Sequence, residues 1–540
     1  MSQGIQASVP KNKNLGIVIA GLLLGILMAS MDNTIVATAM GNIVGELGGL
    51  DKFVWVTSAY MVAEMAGMPI FGKLSDMYGR KKFFMFGAIV FMIGSALCGT
   101  AETITELAMY RAIQGIGAGA LIPVAFTIMF DAVPIETRGK LGGLFGAVFG
   151  LSSIFGPLLG AYITDHITWQ WIFYINLPLG VIAFGMVTFF YKESHEHSKQ
   201  KIDWLGAFTL VGAVICLMFA LELGGKEFAW DSFQIIGLFA AFAVLVLVFL
   251  LAERKAEEPV IPFELFKGRL YSTSLLAALF SGAAFVVASV YIPIFIQGVL
   301  GGSATNSGLV LLPMMVGSVV TATLGGIFMM KMPYRNFMVP TFILLVVGLV
   351  LVSTISPETS RLTVTIYMVL IGLGIGASFS VLSNAAIHGL PARQRGSASA
   401  TMNFIRSLGM TLGITIFGIM QSQALTNKLA TAFGGGGAGG AGEGGAGADG
   451  AGAGEAGAGA AGQTPAGVDL SDPRALLTPE TREKIPAEVV DKIADALSSS
   501  ITYTFAWAIL PAVLALLVSL FMGRQKLEVE EGSQDYAGGH

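Results

Sequence analysis

An apolar run of roughly 20 residues, long enough to cross a bilayer, recurs fourteen times along this chain. A soluble protein of 540 residues divides into domains with polar surfaces. Here 54% of residues are hydrophobic and 12% charged, about half the charged share of a soluble domain. The expectation is an all-α membrane protein whose first partner is the lipid bilayer. The spans fall at 15–36, 53–72, 83–100, 105–127, 140–163, 170–190, 203–222, 233–252, 271–297, 305–330, 336–356, 361–388, 399–423 and 501–522.

The first run follows MSQGIQASVPKNKN and is not followed by a small-residue cleavage site, so it is expected to stay as a spanning helix. Of 31 Lys and Arg, 21 fall in the N-terminal segment, the alternate loops and the C-terminal tail. Only Lys52, Lys226 and Arg361 lie in the short loops opposite, five more lie in the long loop before the last span, and Arg111 and Arg406 fall inside spans. The positive-inside rule then puts both termini, 1–14 and 523–540, in the cytoplasm and the spans in the cytoplasmic (inner) membrane. The segment 424–500 breaks the pattern. It opens with a Gly/Ala tract, Gly434 to Gly462, that cannot bury a core. Its second part, Asp472 to Ala496, reads as one or two amphipathic helices at the outer membrane surface.

A self-match at an offset of 257 residues pairs Gly115-Ile116-Gly117-Ala118-Gly119-Ala120 with Gly372-Leu373-Gly374-Ile375-Gly376-Ala377, and Arg138-Gly139 with Arg395-Gly396. Duplicated halves explain both matches: parallel six-helix bundles at 15–190 and at 271–423 with 501–522, facing each other, with the spans in 203–252 as an inserted pair.

The most specific motif is Gly72-Lys73-Leu74-Ser75-Asp76-Met77-Tyr78-Gly79-Arg80-Lys81-Lys82. Its glycines allow a tight turn, Asp76 can cap a helix end, and Arg80 begins a positive cluster. The fifth span carries Gly150, Gly156-Pro157 and Gly160, a bend with room for a neighbouring helix. Met31-Asp32-Asn33-Thr34-Ile35-Val36 ends the first span, and Trp169-Gln170-Trp171-Ile172-Phe173-Tyr174-Ile175-Asn176-Leu177-Pro178 opens the sixth.

Together these motifs resemble the major facilitator superfamily, and within it the fourteen-helix drug:proton antiporters, strongly over roughly the first 200 residues and in topology beyond them. The resemblance implies a latch on the cytoplasmic side built from Gly72, Asp76, Gly79, Arg80 and Asp131, with Arg80 paired to Asp131. It also marks Gly150, Gly156, Pro157 and Gly160 as an antiporter motif. The function it implies is proton-coupled export of amphipathic or cationic drug-like compounds by alternating access. The loop at Lys331 to Asn336 keeps Arg335 but has no acid, so the latch should be asymmetric.

Ionisable side chains inside a span cost several kcal/mol unless paired or hydrated. Asp32 and Glu64 are the only acids well inside spans, and they are the candidates for proton coupling together with Arg111. Asp32 is expected near the outer end of its span, level with Arg111, while Glu64 falls roughly 16 Å deep with no cation expected there. Gln114 could bridge the two levels. Either acid could carry the proton, and a fixed ion pair with a hydrogen-bonded glutamate is the structural alternative. The positions matching Asp32 and Glu64 in the second half are Ser289 and Thr321, so coupling is expected in the first half. Tyr291, Gln297, Asn384, Asn403 and Arg406 join Asp32, Glu64 and Gln114 as candidates for the substrate cavity. His388, at the place of Asp131, reads chiefly as a solvated helix end.

Cys98 and Cys216 lie in apolar runs and read as small core residues. No nucleophile–base set, metal-ligand cluster, phosphate loop or basic nucleic-acid stripe stands out, so neither an enzyme nor a nucleic-acid partner is expected. No cofactor is expected beyond the proton gradient, and the carrier is expected to be a monomer. On the same fold, a lipid or glycolipid translocase or an exporter of one dedicated metabolite remains the alternative; the span-five motif disfavours an importer.

Overall fold

The computed structural model describes residues 14–48, 54–133, 138–193, 203–225, 227–302, 304–433 and 487–526. Over these residues the chain forms fourteen long helices. In the first half they are α1 (Leu15–Leu47), α2 (Val54–Tyr78), α3 (Arg80–Cys98), α4 (Ile104–Ala132), α5 (Arg138–His166) and α6 (Trp171–Phe190). Then come α7 (Trp204–Leu223) and α8 (Phe233–Glu253). The second half holds α9 (Arg269–Val299), α10 (Ala304–Phe328), α11 (Tyr334–Val352), α12 (Arg361–Ala386), α13 (Ala392–Phe433) and α14 (Ala487–Leu520). The shortest, α3 and α11, have 19 residues, about 28 Å of helix and enough for a hydrocarbon core. Twelve of the described helices are long and apolar enough to cross a membrane. The other two, α2 and α5, have 25 and 29 residues. Helix α2 carries Glu64, Lys73 and Asp76. These are also the helices that meet the opposite half.

The two halves repeat the same packing. In the first, α1 packs on α5 and α6, α2 on α4, and α3 on α4 and α6; in the second, α9 packs on α13 and α14, α10 on α12, and α11 on α12 and α14. Contact between halves is reciprocal as well, α5 against α10 and α13 against α2. The repeated glycines explain this arrangement. A Cβ on Gly115 or Gly119 would come within 3.0 Å of the Tyr60 or Glu64 carbonyl oxygen of α2, and one on Gly117 as close to the Phe91 nitrogen of α3. Gly372 and Gly376 stand in the same relation to Met314 and Ser318 of α10, and Gly374 to Leu345 of α11. Helices surrounded by lipid gain little from burying apolar faces, so backbone approach through small residues is what holds them. Packing therefore matches Glu64 to Ser318 rather than to Thr321, because α10 sits three residues out of the register that the glycines keep. Neither side chain can carry a proton at neutral pH.

The inserted pair packs on itself and, through α7, on α2. Ala207, Leu210, Val214 and Met218 of α7 share an apolar cluster with Met65 and Met68 of α2 and Phe404 of α13. The segment after α8 is tied down by Lys73 Nζ, which donates to Glu258 Oε2 at 2.7 Å, and by Glu253, whose carboxylate accepts from the Val260 and Ile261 amides. Thr103, Asp203, Ser232 and Ser360 cap the starts of α4, α7, α8 and α12 by accepting backbone N–H bonds. Cys98 is buried and Cys216 half-buried, and both are free thiols.

Three helices depart most from the sequence reading. Helix α1 runs to Leu47, so Asp32 lies at its middle rather than near its end. Helix α13 spans Ala392–Phe433 and α14 begins at Ala487, so both reach past the span limits of 399–423 and 501–522. Residues 487–496 accordingly form the first turns of α14 instead of a separate surface helix. The reason is packing: Ala494, Ala496 and Leu497 join Leu425 of α13 in the main apolar cluster, and Gln421 Nε2 donates to Ser500 Oγ at 3.1 Å. The Gly/Ala tract at 434–462, residues 463–486 and the tail beyond 526 lie outside the described residues.

Gly376→Ala, which drives a methyl group into the Ser318 carbonyl and the Thr321 hydroxyl, should cost about 1–3 kcal/mol. Gly185→Ala, whose added Cβ meets nothing within 4 Å, should be neutral. Thermal unfolding of the purified protein in detergent checks this: the first variant melts several degrees lower, and equal melting of the two would contradict the packing described.

Candidate functional site

The acids and cation inside the first half meet in one buried network. Asp32 and Arg111 are both fully buried. Arg111 Nη1 donates to Asp32 Oδ2 and, at 2.7 Å, to Gln114 Oε1. Asp32 Oδ1 also accepts from Gln114 Nε2 at 2.8 Å and from Asn176 Nδ2 at 3.0 Å. Gln114 Nε2 reaches Ser95 Oγ at 2.7 Å. The guanidinium is completed by the Val56 carbonyl at 3.2 Å, by Asn33 Oδ1 at 3.2 Å and by the Tyr60 ring, whose centroid is 4.1 Å from Cζ. Tyr60 is itself fixed by donating to the Ala29 carbonyl at 3.1 Å. Five helices, α1, α2, α3, α4 and α6, thus contribute to a single charge pair.

Glu64 stands apart in character. It is half-buried, one helical turn beyond Tyr60 on α2, and its carboxylate lies close to the Asn33 side chain. Arg111 and Asp32 are near enough to act on its charge. Two expectations change here. A cation is at hand for Glu64, because Asp32 sits mid-helix and Arg111 therefore lies level with α2 rather than above it. The bridge between Glu64 and the ion pair is Asn33, whereas Gln114 is spent on Asp32, Arg111 and Ser95.

The three residues Asp32, Asn33 and Thr34 point to different neighbours because successive helical positions turn by about 100°. Thr34 Oγ1 faces α5, donating to the Ser152 carbonyl at 3.0 Å, and a Cβ on Gly156 would collide with it. Gly160 stands in the same relation to Thr38 and Ile35. The residues Gly156, Pro157 and Gly160 thus let α5 lie against α1 beside the ion pair; Gly150 falls within the same helix.

At the face bearing the start of α1 and the end of α14, a second network joins the halves. Gly79 adopts φ 111° in the turn between α2 and α3, a backbone state that favours glycine. Arg80 pairs with Asp131 and, at 3.0 Å, with Asp76. Asp76 is not a cap on an adjacent helix end: it accepts backbone N–H groups in the second turn of α13, in the other half. Its Oδ1 accepts from the Gly396 amide at 2.9 Å and its Oδ2 from the Ser397 amide at 2.8 Å. Asp131 also binds Arg395 Nη1 at 3.1 Å, and a Cβ on Gly72 would strike Ala400. These contacts join α2, α3 and α4 to α13 across the halves, and they include the repeat positions Arg395 and Gly396. The second half has no such acid. His388 is not a solvated helix end: it is half-buried and its Nδ1 lies 3.2 Å from the Tyr334 hydroxyl, the two rings edge to face.

The remaining candidates do not share one pocket. Arg406, Asn403 and Asn384 gather around the turn Ser378–Leu382 of α12. Gln297 lies in the widened turn Phe295–Val299 that ends α9. Tyr291 lines a separate cavity of about 540 Å³ with Leu221, Trp230, Thr415, Gln421 and Leu497, between the inserted pair and the second half. Sequence reading missed Asn33, Ser95, Tyr60 and Asn176 as site residues. Asn33 and Asn176 lay within recognised motifs, whereas Tyr60 and Ser95 carry no signal short of the fold itself.

Two mirrored six-helix bundles with a buried charge network in one of them and a latch between them define a membrane carrier. A sequence model of the Major Facilitator Superfamily matches residues 22–204 and 204–414, and the chain belongs to that superfamily. It is 52% identical over 524 residues to multidrug resistance protein 3 of Bacillus subtilis, covering 97% of this chain and 98% of that protein. It is 37% identical over 423 residues to the multidrug transporter protein MdtP of the same organism, covering 78% of each. Among solved structures it resembles the proton:xylose symporter XylE, with TM-score 0.54 and 14% identity over 77% of this chain and 90% of that one, a likeness of fold alone.

Asp32→Asn leaves a buried guanidinium without its counter-charge, which should cost about 3–5 kcal/mol. Adding Arg111→Gln should restore part of that stability. Chemical unfolding of the three variants measures the coupling, and strictly additive losses would contradict the pair.

Proposed function

We propose that this protein exports amphipathic or cationic drug-like compounds in exchange for protons, by rocking its two bundles about the seam formed by α5 with α10 and α2 with α13. The observation that carries the reading is the contrast between two neighbouring acids. Asp32 is locked into N–H donors from three side chains, whereas Glu64 is half-buried, close to Asn33 and Arg111 but outside that set of bonds. A proton can therefore reach Glu64 without breaking the charged pair, and Asn33 transmits the change to Arg111. We assign proton carriage to Glu64 and the fixed counter-charge to Asp32. The network Asp32, Glu64 and Arg111 has a formal charge of minus one when both acids are ionised, which favours a cationic guest. The names of the Bacillus relatives support drug-like substrates.

The face that carries the latch is cytoplasmic in this proposal, in accord with the 21 Lys and Arg assigned to that side, and the membrane is the cytoplasmic one. The carrier works as a monomer, without a cofactor, on the proton gradient. Closure of the latch through Asp76 and Asp131 seals the cytoplasmic entrance while the substrate leaves on the other side.

Ethidium efflux from energised cells expressing the protein, with and without a proton uncoupler, tests the assignment. Wild-type efflux should collapse with the uncoupler. Glu64→Gln should lose about a hundredfold or more of gradient-driven efflux, the lower end for removing a proton-transfer group, while retaining ethidium binding. Gradient-driven efflux that survives intact in Glu64→Gln would remove this residue from coupling.

A further inference from the structure

The second half contains a buried cation without an acid. Arg406 on α13 is 6% exposed, and among the described residues no carboxylate pairs with it. Its Nη2 donates to the Ser378 carbonyl at 3.1 Å and to Ser383 Oγ at 3.3 Å, and its Nη1 makes a long contact of 3.4 Å to Asn403 Oδ1. The Phe379 ring lies 5.0 Å from its Cζ. All of these partners are neutral. Burying a guanidinium on such terms is costly, and Arg111 shows how this same protein neutralises one elsewhere, with a carboxylate in direct contact.

Three polar atoms around Arg406 are also buried and without protein partners: its own Nε, Ser380 Oγ and Asn384 Oδ1. Unpaired groups of this kind are rare in folded proteins and call for an explanation. They surround Ser378–Leu382, a π-helical turn inside α12, and such widened turns recur at functional sites. The turn also packs against α5 of the first half, so it lies on the seam that opens and closes as the halves rock.

We propose that Arg406, with the Ser380 hydroxyl, is a receptor for an anionic group, specifically a carboxylate carried by a transported amphiphile. A planar guanidinium with a free Nε–H and a neighbouring hydroxyl suits the two oxygens of a carboxylate. The Phe379 and Phe285 rings, 5.9 Å apart and edge to face, offer an apolar surface beside it. This assignment rests on the export reading for the identity of its ligand and extends it. With the negative network at Glu64 in one half and Arg406 in the other, the carrier accommodates zwitterions as well as cations.

Rhodamine B, a cation with a free carboxylate, and its ethyl ester, which lacks that charge, separate the possibilities. Their dissociation constants are measured by fluorescence on the purified full-length protein in detergent. Wild type is expected to favour the acid. In Arg406→Gln that preference should fall about tenfold to a hundredfold, the range for losing a hydrogen bond to a charged group, and Arg406→Lys should fall between. Chloride, exchanged for gluconate, should compete with the acid only. An unchanged preference in Arg406→Gln overturns the proposal. Loss of both ligands by a monodisperse variant also overturns it, making Arg406 structural, and a chloride requirement for both ligands replaces the carboxylate by an inorganic anion. If wild-type vesicles fail to export the ester while the binding preference behaves as expected, the export reading falls and the anion receptor stands.

Discussion

A guanidinium placed in an apolar bundle has to bring its counter-charge with it, and the first half of this protein is arranged around that requirement. Arg111 reaches Asp32, and the residues that satisfy the pair come from α2, α3 and α6 as well. Removing any one partner would strand a buried charge or a buried amide, so these helices are held in one relative position by a common electrostatic need. The mobile parts of a rocking carrier can then be whole bundles. Only the seam between halves, made by α2 with α13 and α5 with α10, has to yield.

The seam and the charge network share helices. Helix α2 supplies Tyr60 and Glu64 to the network, and one end of it supplies Asp76 to the latch. Helix α5 touches Thr34, the residue after Asn33, through Ser152 and Gly156. Asn33, beside Glu64, is therefore one residue along α1 from the contact with α5, and α2 runs directly from Glu64 to Asp76. The glycines of α4 matter for the same reason: by bringing the Glu64 and Tyr60 carbonyls against α4, they set the depth at which the acid meets Arg111.

The spans, the duplicated halves and the latch were legible because each rests on a local or repeated pattern: apolar length, an identical glycine spacing, and a dense motif of Gly, Asp and Arg. Depth was legible only approximately. Counting residues from an assumed helix start placed Asp32 near a helix end, since α1 continues to Leu47 through residues too mixed in polarity to count as a span. Which side chain bridges two charges is set by rotation about a helix and by sub-turn differences in level. Gln114 was therefore a reasonable bridge to Glu64, yet Asn33 fills that role. The extra turns of α14 escaped notice because the partner that buries them, Leu425, comes from the far end of α13.

The halves agree in backbone and disagree in charge, and the disagreement is informative. Where the first half sets Arg80 against Asp131, the second sets Tyr334 against His388. Where α2 carries Glu64, α10 carries Ser318. A duplicated fold needs the glycines in both copies, because packing alone decides whether α4 and α12 can approach their neighbours. It does not need ionisable groups in both, since one protonation site is enough to bias a two-state motion. The second half instead buries Arg406 on α13 among neutral partners. Two opposite fields facing each other across one seam orient a guest along the line joining the halves. Such a guest would interact with both bundles only when they close upon it, which gives it a direct means of favouring the exchange of one closed state for the other.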